Sequence, residues 1–141
     1  MRALPSAPAP TDSAAQRLAQ AKAIARRFSS SAQPLKPAGR MQFRLLTQPI
    51  DRYSDPEAGL LDGMLFSLVY TNNPSVLLVL EASSEGAGTR TWRFALVRQG
   101  AGEYSALLDG KPVWSVPNAD PAVDTGLFIF RSVPANPAEQ D

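Results

Sequence analysis

MLFSLVYTNNPSVLLVLEA, residues 64–82, is the stretch that decides how this chain folds. Met64–Tyr70 and Val76–Ala82 are apolar at almost every position. Each run has the length of a strand rather than of a helix. Between them, Thr71-Asn72-Asn73-Pro74-Ser75 supplies turn chemistry, because Asn tolerates the left-handed backbone and Pro presets φ. The two runs read as an antiparallel pair of central strands, apolar on both faces and so covered on both.

Downstream, Ser83–Thr89 (SSEGAGT) is a Gly-rich turn. Thr91–Arg98 then alternates, with Trp92, Phe94 and Leu96 on one face, which is the pattern of a half-buried strand. Arg93 and Arg98 are assigned to its polar face, opposing Glu81 or Glu103. Gly100 and Gly102 mark another turn. Tyr104–Leu108 and Val113–Val116 flank Asp109-Gly110, the preferred two-residue hairpin turn. Pro112 cannot donate to a ladder, so that hairpin belongs at an edge. Pro117–Gly126 reads as a loop, Leu127–Val133 as a last strand and residues 134–141 as a polar tail.

Upstream, residues 1–11 (MRALPSAPAPT) are Pro/Ala-rich and predict a disordered tether. They are not a signal peptide, since no apolar stretch follows the Arg. A helix is predicted over about 13–29. Ser13 and Gln16 have capping-box spacing, and the segment is rich in Ala, Gln, Arg and Leu. Ala14, Leu18, Ala21, Ile24, Ala25 and Phe28 share one arc of that helix. The serines at 29–31 and the prolines at 34 and 37 make residues 30–40 a linker. The sheet runs from 41 to 133, with Pro49 marking an edge or an interruption. The fold class is therefore α+β: an N-terminal helix packed on a mostly antiparallel sheet of about six or seven strands, in a single domain spanning 12–133. A strongly curled sheet or small open barrel is the alternative.

The chain has 141 residues with no His and no Cys. Thiol nucleophiles, disulfides, zinc fingers, iron–sulfur clusters, His general bases and Ser-His-Asp triads are thereby excluded. A Ser-Lys dyad would need Lys22, Lys36 or Lys111, and none sits in an apolar run that could lower its pKa. Gly86-x-Gly88 is hairpin punctuation, since no phosphate-loop pattern follows it. No window approaches a membrane span.

The net charge of +1 is two opposite charges added together. Residues 1–44 carry eight basic side chains against Asp12, a net of +7, and residues 45–141 carry a net of −6. Arg17, Lys22, Arg26 and Arg27 make the helix a candidate arm for an anionic partner, nucleic acid or a membrane surface. They do not form one stripe: Arg17 intrudes on the apolar arc, Lys22 and Arg26 flank it, and Arg27 lies nearly opposite. Docking of the arm on its own acidic body is the preferred reading.

The segment 51–63, DRYSDPEAGLLDG, reads as a loop that gathers Asp51, Asp55, Glu57 and Asp62 with Arg52 and Tyr53. Paired carboxylates can perform acid–base chemistry or hold a hard cation. The spacing is not that of an EF-hand. A surface loop in which Arg52 pairs with a carboxylate and Asp55-Pro56 starts a turn is the simpler account. Trp92, Phe94, Tyr104, Trp114, Phe128 and Phe130 read as core. With an acidic body around them, nucleic-acid stacking is not expected.

Five segments resemble an uncharacterised bacterial family. They are R-L-L-x-x-P-I-x-R-Y at 44–53, D-P-E-A-G-L-L-D-G at 55–63, N-P-S-V-L-L-V-L-E-A at 73–82, W-R-F-A-L-V-R at 92–98 and D-G-K-P-V-W-S-V-P at 109–117. The resemblance implies that the basic helix and the acidic sheet body form one unit. It leaves export of its members open and carries across no activity, cofactor or functional residue. The expectation is a small non-enzymatic interaction or accessory domain without a cofactor, open to a protein partner. A carboxylate- or metal-dependent hydrolytic or sugar-processing site at 51–63 is the alternative. The compartment is cytoplasmic, or exported if a signal lies upstream.

Overall fold

A computed structural model describes residues 1–33 and 39–119. In chain order the elements are β1 (Arg2–Ala3), α1 (Ala14–Ala25), β2 (Phe28–Gln33), β3 (Met41–Gln42), β4 (Arg44–Leu45), β5 (Asp51–Asp55), β6 (Leu60–Tyr70), β7 (Asn73–Glu85), β8 (Thr89–Arg98), β9 (Glu103–Leu108) and β10 (Lys111–Val116). A 3-10 turn at Pro56–Ala58 joins β5 to β6. The strand expected at Leu127–Val133, with Phe128 and Phe130, and the tail lie outside the described residues.

The strands form two open sheets rather than a barrel. A six-stranded sheet has the order β1-β8-β7-β6-β4, with β5 also paired to β6, and a four-stranded sheet has the order β10-β9-β2-β3. Every described pairing is antiparallel. The decisive hairpin is β6–β7, in the register Met64–Leu80, Phe66–Leu78 and Leu68–Val76. Its turn is shorter than the sequence implies: Thr71 and Asn72 turn the chain, while Asn73 and Pro74 already pair with β6. Thr71 takes up a positive φ of 53° there.

Alternation sends Met64, Phe66, Leu68, Val76, Leu78, Leu80, Trp92 and Phe94 to the inner face, where all are buried. This face is covered by Ala21, Ile24 and Ala25 of α1 and by the inner side of the small sheet. Phe28 of β2 meets Phe94 of β8 with ring centroids 5.2 Å apart. Fully burying one such side chain contributes roughly 1.5–3 kcal/mol, so this shared interior holds helix and sheets together.

Four boundaries differ from the sequence reading. The helix stops at Ala25 rather than near Ser29, although its N-cap is as expected: the Ser13 hydroxyl accepts from the Gln16 N–H. The first residues of the expected 30–40 linker continue β2, which pairs with β9 from Phe28 to Gln33. Phe28, Ser30 and Ala32 face inward, and beyond Phe28 the inward residues are too small to show hydrophobic alternation. The expected tether is docked: Arg2–Ala3 pairs with β8, the Leu4 N–H donates to the Trp92 carbonyl, and Leu4 is buried. Prolines remove donors but leave carbonyls. Arg27 donates to the carbonyls of Pro5 and Ser6, and Gln20 to that of Ala9. The expected 51–63 loop is mostly two strands, β5 and the start of β6.

Candidate functional site

The carboxylates of 51–63 do not converge. β5 is an edge strand exposed at every residue, and its alternation separates Asp51 from Arg52 across the sheet. Asp55 caps the 3-10 turn by accepting from the Ala58 N–H at 3.2 Å. Glu57 is exposed on that turn. Gly59 closes it at φ 77°, where a Cβ would lie 2.8 Å from the Ser84 carbonyl oxygen. Among the described residues, no three acidic side chains come together as a metal site would require.

Asp62 alone turns inward, with 4% of its side chain exposed. Arg52 donates to both its oxygens, at 2.8 and 2.7 Å, and Arg17 of α1 donates at 3.0 Å. Burial pushes this carboxyl upward, but the hydrogen bonds and charges of Arg52 and Arg17 outweigh it and hold the group below the ordinary carboxylate range. Arg17 also donates to the carbonyls of Thr11 and Asp12, and Arg52 to that of Ala14. An acid neutralised from two sides and held ionised is a clamp between helix and sheet. It does not have the environment of a proton-transfer group.

Tyr53 lies flat over Gly63, close enough that a Cβ on Gly63 would fall 2.3 Å from the ring. Its hydroxyl donates to Glu81 at 2.9 Å. Removal from water, together with the Glu81 and Asp51 charges, pushes the phenol up to about 12.

Two members of the basic arm meet the acidic body. Arg17 pairs with Asp62, and Arg27 forks onto Asp109 with a closest approach of 2.6 Å. Arg27 holds the Asp109 carboxyl below its usual range. Asp109 and Gly110 both have positive φ, as the expected hairpin turn demands. Lys22 and Arg26 make no ion pair among the described residues.

The outer face of the large sheet carries a different surface. Leu65, Val79 and Ala95 are register partners, and Leu77 pairs with Val97 beside them. These side chains are half-buried, except Val97, which is 46% exposed. No described helix or strand makes one of its main packing contacts on this face, although Ser67 and Val69, which share it with Leu65 by alternation along β6, are buried. Arg93 stands across from Glu81 on the same face. Arg98 does not share it: it is five residues away, an odd spacing, and pairs with inward-facing Val76. No described helix is long and apolar enough to cross a membrane.

A concavity of about 230 Å³ lies on the outer face of the small sheet, lined by Ser29, Ser31, Arg40, Gln42, Ser105 and Leu107 among others. β2 and β9 bring Ser31 opposite Ser105, and β3 brings Gln42 opposite Ser31. Arg40 Nε donates to Ser31 Oγ at 2.7 Å, and Nη2 donates to Ser105 Oγ. Sequence reasoning missed this place, because its residues come from three separated segments. The local trace is only the run of serines at 29–31.

Compared with known proteins, the chain matches no family model, no curated protein and no solved structure.

Proposed function

We propose that this chain is a non-enzymatic interaction domain whose protein-binding surface is the outer face of the large sheet. The observation that carries the reading is the apolar group Leu65, Leu77, Val79, Ala95 and Val97, on a face where no described helix or strand makes one of its main packing contacts. Contiguous apolar surface of this kind marks partner sites. The neighbouring edge, β5, is charged at Asp51, Arg52 and Asp55, which discourages strand-to-strand pairing and favours the face. The carboxylate alternative has less support, since Asp62 is clamped by two arginines and Asp55 caps a turn. The nucleic-acid or membrane reading of the arm has less support for a parallel reason: Arg17 and Arg27 are engaged with the body. The resemblance to a bacterial family adds no activity to this picture.

A photo-crosslinking residue at Val97 in the full chain, expressed in its native host, is expected to give a discrete protein adduct. The same residue at Ala23, on the exposed side of α1, is expected to give none. Equal adducts at both positions would overturn the proposal. So would turnover of a broad hydrolase substrate panel that disappears in Asp55→Asn and Asp62→Asn.

A further inference from the structure

We infer that the concavity beside Arg40 binds the oxyanion head of a small organic acid, with a short aliphatic body lying along Leu107. Its lining holds one positive charge, four serines and an amide, and no carboxylate. Arg40 makes no ion pair among the described residues, whereas Arg17, Arg27, Arg52 and Arg90 all do.

The donor arithmetic is specific. A guanidinium has five N–H groups in a fixed fork. Ser31 and Ser105 accept from the Nε–Nη2 side, which leaves the Nη1–Nη2 edge for a bidentate carboxylate. Because both serine oxygens accept from Arg40, their own hydroxyl protons are directed elsewhere. They lie 3.4 Å apart, so one can donate to the other while the second stays available. Ser29 is exposed and Gln42 adds an amide donor at the rim. The guanidinium is therefore already oriented by two hydroxyls, which reduces the ordering cost of binding. Leu107 supplies the apolar wall that distinguishes an aliphatic acid from a bare inorganic anion. Glu103 lies on the same face two residues before Ser105 and outside the lining. Its charge opposes an anion.

The test is a titration of the isotope-labelled full chain with butyrate, followed by amide chemical shifts, with inorganic phosphate in a parallel arm. Saturable shifts confined to 29–31, 40–42 and 105–107 are expected, with a dissociation constant on the order of 1 mM. Phosphate is expected to bind more weakly. Arg40→Gln is expected to weaken butyrate by at least about tenfold, the scale of a lost charge-assisted pair. Ser29→Leu narrows the concavity and should also weaken it. Glu103→Gln should tighten it, and Arg26→Gln, which removes an equal charge from the helix, should leave it unchanged. Because Arg40 and Ser29 are exposed, a thermal melt verifies that both variants are folded. Absence of saturable shifts, equal loss in Arg26→Gln, or full binding by Arg40→Gln would overturn the inference. Phosphate binding tighter than butyrate would overturn the aliphatic-acid assignment.

Discussion

Two of the places where arginine meets polar groups in this molecule are built in opposite ways. At Asp62, two guanidiniums close on one buried carboxylate, and each also donates to backbone carbonyls. At Arg40, one guanidinium rests on two neutral hydroxyls at the wall of a concavity. The first arrangement is electrostatically saturated and joins α1 to β5 and β6. The second keeps a charge that meets no carboxylate among the described residues. Motif reading weighs acids by how many lie close in sequence. The structure shows that the useful question is whether each charge already has its counter-charge.

The largest expected effect breaks the saturated site. Asp62→Ala leaves Arg17, whose side chain is 11% exposed, facing Arg52 without the acid between them. A loss of about 3 kcal/mol is expected, since removing one partner of a buried pair is strongly destabilising. Urea unfolding measures it. If the loss is under about 1 kcal/mol, the cluster behaves like a surface pair and the contrast with Arg40 fails.

Backbone geometry in the same hairpin gives the next effect. Gly59→Ala must keep φ at 77° and bring a Cβ to 2.8 Å from Ser84 O. It is expected to cost about 1–2 kcal/mol in the same measurement. A neutral result would mean that the β5–β6 connection adapts freely and that Asp62 is not held by a rigid hairpin.

Acid titration sharpens the comparison. The folded Asp62 carboxyl lies below its unfolded value. Its contribution is therefore complete above that unfolded value, about pH 4, and is lost as pH falls through the folded one. Melting temperature should decline on acidification below about pH 4, and the decline should be shallower in Asp62→Asn. Identical profiles would remove the clamp from the account. At the alkaline end, the Tyr53 phenol is raised to about 12, so the stability it contributes is lost as pH rises from about 10 towards that value. Glu81→Gln should lower the midpoint of the Tyr53 absorbance titration.

The smallest effect belongs to the unsaturated site. Arg40→Gln should change unfolding free energy by no more than about 0.5 kcal/mol, as expected for an exposed substitution. A large loss would make Arg40 a structural clasp, like Arg17.

The sequence made the central hairpin legible because β6 and β7 are continuous apolar runs, and the Ser13 cap and Asp109-Gly110 turn because each rests on local chemistry. β5 was unreadable as a strand because DRYSD is an edge made of charges, and that composition imitates a loop. β2 was unreadable because Ser30 and Ala32 fit beneath larger neighbours, such as Tyr104 across from Ala32, and so carry no hydrophobic period. Within the acidic segment, the sequence paired Arg52 with a carboxylate correctly in kind. It could not know that Arg17, 45 residues earlier, would take the same acid. The Arg40 concavity had no local signature, since register alone assembles it.

The pairing of β2 with β9 has a kinetic consequence. Ser30 and Ser105 are 75 positions apart, whereas β6, β7 and β8 are successive hairpins. Closing a long loop is entropically costly until something shortens it, and non-local pairing slows folding. The hairpins should therefore form first and draw Ser105 towards Ser30, with the four-stranded sheet condensing last. Pulse-labelled amide exchange should protect Phe66 and Leu78 before Ala32 and Ala106. The concavity at Arg40 would then be the last part of the described surface to come into existence during folding.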